Sequence, residues 1–99
     1  MRKLIIAVFL FASSMMTNSN ADGHAIKMGI ILGFTGPIES LTPAMADSAE
    51  LAFKEASDSG SLLGGKYISV TRADSTCVDS AAAVTAAEGL VSGGAVAIM

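Results

Sequence analysis

The chain has 99 residues, 52% of them hydrophobic and 15% charged, with nine acidic against six basic groups and a formal net charge of −3. Such apolar content excludes a disordered chain or a coiled coil, and the acidic balance leaves no basic patch for nucleic acid. One Cys and one His exclude a multi-ligand Cys/His metal site and make Ser-His-Asp or Cys-His catalysis hard to assemble.

The first 21 residues read as a secretory leader. Arg2 and Lys3 give a positive start, Leu4 to Ala12 is an unbroken apolar run, and the residues from Ser13 onward turn polar and small, the order of a signal peptide. The run is about half of the ~20 apolar residues that a membrane-spanning helix needs, so it is predicted to be cleaved rather than to anchor. Ser19 and Ala21 suit cleavage before Asp22, the preferred site, and Gly23-His24-Ala25 offers a second before Ile26. No Cys follows the apolar run, so a lipid anchor is not indicated. The division is thus 1–21 signal peptide and 22–99 exported domain, soluble in the periplasm, where a disulfide persists.

Ile26 to Leu32 is a short apolar run ending at Gly33, the pattern of a strand buried on both faces. A loop of turn formers, Gly33 to Pro37, follows it. Thr42 before Pro43 is the pairing of an N-cap with proline at the first helical position. Met45, Ala49, Ala52, Phe53 and Ala56 then predict one apolar face on a helix from about Pro43 to Ala56, with Asp47, Glu50, Lys54 and Glu55 on the wet side. Asp58-Ser59-Gly60 is its stop. Tyr67 to Arg72 is β-branched and short, a second strand, and Asp74 to Cys77 is loop. Asp79 is the N-cap of a second helix running to about Val91, with Ala83, Val84, Ala87, Leu90 and Val91 on its apolar face and Gly93-Gly94 closing it. Ala95 to Met99 reads as a third buried strand. Strands alternating with single helices predict an α/β fold with a doubly wound parallel sheet and right-handed crossovers. Three strands and two helices do not close such a sheet, so the segment is read as the N-terminal part of a longer protein.

Gly60 to Lys66 matches the first seven positions of the phosphate-binding pattern G-x-x-x-x-G-K-[ST], but Tyr67 stands at the eighth. That motif must follow a strand and open a helix; here a helix precedes and a strand follows, so a plain connection is expected. Gly33 to Gly36 lacks the third glycine of a dinucleotide loop. Its position still matters, because the loop after a first parallel strand lies at the carboxyl edge, where open α/β sheets bind ligands. Thr35, the Gly36 amide and Ser40 are candidates to reach a small polar ligand, and a turn without contacts is the alternative. Asp74 and Asp79 suggest a divalent cation less well than a solvated loop and a helix cap. Cys77 is a lone thiol in an exported chain, either free and buried, a nucleophile without a base, or paired with a residue beyond Met99.

These residues in order resemble the N-terminal lobe of type 1 periplasmic solute-binding proteins of the branched-chain amino acid class, the leucine-binding-protein-like components of ABC importers. The resemblance runs through Ile26-Lys27-Met28-Gly29-Ile30-Ile31-Leu32, Thr35-Gly36-Pro37, Ala49-Glu50-Leu51-Ala52-Phe53, Leu63-Gly64-Gly65-Lys66, Ala73-Asp74-Ser75-Thr76-Cys77 and Ala82-Ala83-Val84 through Gly89-Leu90-Val91. It implies two α/β lobes that close over an amino acid or related small amide and hand it to a membrane permease, with no reaction catalysed and no cofactor or metal. It implies a monomer, with Thr35, Gly36, Ser40 and Leu41 on the cleft rim and most charge-gripping groups beyond Met99. Leu41 matches a position that packs on the ligand side chain and is often aromatic in relatives. The resemblance also implies a disulfide from Cys77 to a cysteine about two dozen residues on. A periplasmic sensor of the same fold is the second expectation, distinguished by a signalling or membrane segment downstream. An exported α/β enzyme is a third, for which residues 22–99 supply no acid and base pair.

Overall fold

The computed structural model describes residues 25–99. The leader, the cleavage site before Asp22 and His24 lie outside the described residues. Strand β1 is Ala25–Leu32, helix α1 Thr42–Asp58, strand β2 Tyr67–Asp74, helix α2 Ser80–Ser92 and strand β3 Ala97–Ile98. All pairing is parallel and the strand order is β2-β1-β3. β1 pairs with β2 over its whole length, from Ala25 opposite Tyr67 to Leu32 opposite Asp74.

With β2 on one side of β1 and β3 on the other, two right-handed crossovers put the helices on opposite faces. Side chains agree with this, since successive strand residues point to opposite faces. Ile30 is fully buried, as are Thr42 and Ala46 of α1, and Arg72, the register partner of Ile30, reaches Asp47 and Glu50 of α1. Gly29 faces the other way, where a Cβ would lie 2.6 Å from Leu90 Cδ1 of α2. A Cβ there would have to displace the Leu90 side chain, which fills that space on β1.

Both helices are rotated from the faces their apolar spacing predicts. On α1, Ala49, Phe53 and Ala56 are half-buried as expected, but Met45 and Ala52 are exposed while Thr42 and Ala46 are buried. Two polar contacts turn it. The Thr42 hydroxyl donates to the Gly33 carbonyl at 3.1 Å in a buried bond, and Arg72 draws the Asp47 and Glu50 flank onto β2. Glu50 therefore does not stand on the wet side, nor is Thr42 the N-cap: Leu41 holds that place without a side-chain bond. On α2, Leu90 drops into the Gly29 notch and is only 5% exposed. Ala83 and Ala87 follow it inward, and Val84 and Val91 are left exposed.

The remaining differences are local. β2 extends two residues further than expected, through Asp74. β3 is shorter than Ala95 to Met99 and is not buried, with Val96, Ile98 and Met99 all exposed, although Val96 and Met99 extend its bonding by donating to the Lys27 and Gly29 carbonyls. Gly60 to Lys66 is the plain connector expected, holding one 3-10 turn at Leu62–Gly64. It enters the amino end of β2, the opposite edge from the loops discussed next. Among the described residues no helix is long and apolar enough to cross a membrane.

Two glycines with opposite surroundings test this packing. Gly29→Ala is expected to cost about 1–3 kcal/mol by overpacking Leu90. Gly89→Ala in α2, where a Cβ meets nothing within 4 Å, is expected to add up to about 1 kcal/mol through helix propensity. Urea unfolding of the chain reads both as opposite shifts of the midpoint.

Candidate functional site

The loops after β1 and after β2 meet at the carboxyl edge of the sheet. The chain leaves β1 toward β2, while β3 lies on the other flank, so the strand order reverses beside the end of β1, the place where ligands bind in open α/β sheets.

Asp74 joins the two loops. Its Oδ2 accepts from the Thr35 hydroxyl at 2.6 Å, and its Oδ1 accepts from the Thr35 amide at 3.2 Å and the Thr76 amide at 2.8 Å. One carboxylate thus takes three donors, two from the first loop and one from the second. The Thr35 hydroxyl, and next the Thr76 amide, hold its carboxyl below the usual carboxylate range. A depressed carboxyl adds stability that is complete above the unfolded value near 3.8 and fades as pH falls through the lower folded value. Asp74 is therefore a linchpin rather than the solvated loop residue that the sequence suggests.

The backbone conforms to this clasp. Gly36 has φ of +100°, and a Cβ there would sit 2.7 Å from the Thr76 carbonyl oxygen, so only glycine lets the first loop lie against the second. Thr76 and Cys77 adopt φ of 57° and 67°, a left-handed conformation unfavourable for residues with a Cβ. The Thr76 hydroxyl oxygen is buried with no hydrogen-bond partner among the described residues. Behind the loops, Arg72 forms a two-pronged pair with Glu50 at 2.6 and 2.9 Å, reaches Asp47 at 2.6 Å, and lies 5.8 Å from the centre of the Phe34 ring. That pairing raises the Arg72 pKa further and lowers that of Glu50. It fastens β2, α1 and the first loop at one point, although its side chains remain partly exposed and each ion pair is individually weak.

Of the four rim candidates, Thr35 and Gly36 are drawn into the clasp. Thr35 spends both its donors on Asp74, and Gly36 serves the close approach of the loops. Ser40 is exposed, and Leu41 is 61% exposed at the end of the loop. The edge also carries an open hollow of about 320 Å³ lined by Ser75, Cys77, Val78, Asp79, Ser80 and Ala83, which none of the four rim candidates lines. Cys77 is exposed and unpaired among the described residues, which removes the free buried thiol as an explanation. Asp79 is the N-cap expected, its Oδ1 accepting from the Ala81 and Ala82 amides at 2.9 and 3.3 Å. Among the described residues no three His, Cys, Asp or Glu side chains cluster as metal ligands.

The sequence misassigned Asp74 as a solvated loop residue and gave Arg72 no role. Asp74 carries a local signal, since an Asp two residues before an amide it can bond is an Asx turn. Its contacts with Thr35, 39 residues away, have no local signal. Arg72 is legible only as the one cation of its strand. Compared with models of protein families, with curated proteins and with solved structures, the chain matches none.

The cap gives a direct check of how the second loop is set. Asp79→Ala is expected to lower stability by about 1 kcal/mol, and Asp79→Asn by less, because the amide oxygen still accepts. Thermal unfolding followed by far-UV circular dichroism measures both.

Proposed function

We propose that the chain is the N-terminal part of an extracytoplasmic solute-binding protein of an ABC importer. It would capture an amino acid of the branched-chain type, or a related small amide, and deliver it to a membrane permease. The observation that carries this reading is the clasped pair of loops at the carboxyl edge, beside the reversal of strand order in a parallel sheet. A preformed edge of this kind suits binding by lobe closure: one rigid rim is presented by this segment, and a second lobe, beyond Met99, brings the groups that grip the ligand charges. The leader supports export. Ala25 is paired with Tyr67, so cleavage before Asp22 leaves β1 whole, while cleavage before Ile26 removes a paired residue.

Within this reading the rim roles are divided. Thr35 and Gly36 shape the loop, and Leu41, exposed at its end, is the apolar contact for the ligand side chain. Cys77, exposed at the same edge, pairs with a cysteine further along the chain. Closing a loop of about two dozen residues stabilises by about 3 kcal/mol in the chain-entropy account.

Thermal shift of the exported full chain against amino acids, small amides and short carboxylates tests the function. Leucine, isoleucine or valine at 100 times Kd is expected to add about 2.7 kcal/mol by mass action, a saturable rise in Tm. A rise with amides or aromatic acids alone moves the specificity and points to Leu41. No rise with any of these solutes overturns the reading. Maleimide labelling gives a second check: in the exported protein Cys77 is expected to react only after reduction.

A further inference from the structure

The Thr35, Asp74 and Thr76 cluster does more than close a loop. We propose that Asp74 is a positioning residue whose ionised carboxylate latches the loop after β1 onto the loop after β2, and that its protonation unlatches the carboxyl edge. The latch itself is independent of what the edge binds, while its consequence for ligand capture rests on the reading above.

The argument starts from the count of donors. Three donors converge on two oxygens, an arrangement that suits an acceptor-only carboxylate. Bonds to an ionised acceptor are roughly twice as strong as neutral ones. A proton on Oδ2 turns that oxygen into a donor facing the Thr35 hydroxyl. The hydroxyl must then reverse, and the charge assistance to both amides is lost in the same step. The Thr76 hydroxyl, in the same loop, is buried and has no hydrogen-bond partner among the described residues.

The second part of the argument is what the latch holds. Thr76 and Cys77 are both left-handed, and the first loop touches the second through Gly36. Backbone of this kind persists only where surrounding contacts over-determine it, and here the Asp74 carboxylate supplies the bond to the Thr76 amide beside the Ser75 amide bond to the Leu32 carbonyl at 2.9 Å. The base of the loop is held separately, by the Thr42 hydroxyl on the Gly33 carbonyl and by Arg72 against the Phe34 ring, so the latch governs the stretch around Thr35 and Gly36.

The charged and titratable groups around Asp74 do not compete for this role. Arg72, two residues back on β2, is committed to Asp47 and Glu50 of α1. Glu39 lies in the first loop, and Cys77 and Asp79 in the second, with Asp79 bonded to the start of α2. None of them donates to or accepts from Asp74 among the bonds of the described residues. The lowering of its carboxyl comes from hydrogen bonds, with no charged partner, so a single group switches the contact.

Threonine-selective 15N labelling of the exported full chain, without ligand, reads the latch directly. The Thr35 and Thr76 amide protons are expected to titrate together with one midpoint below 3.8, the ordinary carboxylate value. Across that midpoint the Thr35 order parameter is expected to fall from the rigid range near 0.85 to below about 0.6. Thr85, inside α2, is the internal control for global unfolding and is expected to stay unchanged. Asp74→Asn is expected to abolish the shared titration, and Asp74→Glu to restore it in part. Where Asp74→Asn fails to fold, Thr35→Val, which removes only the hydroxyl donor, is expected to raise the midpoint at Thr76. Separate midpoints for the two amides, or a Thr35 order parameter that stays rigid through a shared one, overturns the proposal. Because no ligand is present, the latch and the solute-binding reading fail or stand separately.

Discussion

Every strand pairing among the described residues runs through β1. β2 and β3 touch only this strand, and β1 has its backbone bonded on both sides and its side chains covered on both faces. That single constraint explains its composition. A strand between two neighbours and two helices keeps little wet face, here only Lys27 exposed, so it reads as a nearly continuous apolar run rather than an alternation. It also explains Gly29 and Ile30 as neighbours of opposite size: one face must admit Leu90 of α2, and the other must fill the space beneath Thr42 and Ala46 of α1.

From that strand the carboxyl edge follows. Parallel register brings Leu32 opposite Asp74, and this places the last residue of β2 level with the first loop. A carboxylate at that point meets the donors of Thr35 and Thr76 with no long reach. Two rows up the same face of β2, Arg72 meets the acids of α1 and the Phe34 ring. The edge is therefore shaped by two charged residues of one strand, one bonded to loops and the other to a helix. The solute-binding reading uses this edge as a fixed rim, and the Asp74 latch makes its shape depend on one proton.

Much of this was legible from the residues. The order of elements, the Asp79 cap, the stop at Gly60 and the character of the Gly60 to Lys66 connector all rest on local chemistry and stand in the structure. The rim candidates were placed at the right edge of the sheet, but their roles were not legible. Thr35 looks like a free hydroxyl until the register shows Asp74 beside it. The helix faces failed for a related reason. Apolar spacing finds the greasy side of an isolated helix, whereas Arg72 and the Gly29 notch decided which part of that side was buried, leaving Met45, Val84 and Val91 exposed.

The sequence by itself determined which segments become strands and helices, their order, and the parallel sense that single-helix crossovers demand, because propensity, capping and turn chemistry act over a few residues. Only the tertiary structure decided how each helix is turned, that Thr42 bonds the Gly33 carbonyl instead of capping α1, that the third strand lies exposed, and that Asp74 ties two loops together. Those outcomes depend on contacts between residues far apart in the chain, 39 positions for Thr35 and Asp74 and 61 for Gly29 and Leu90, and pairing at such distances is set by register between strands, which no local pattern encodes.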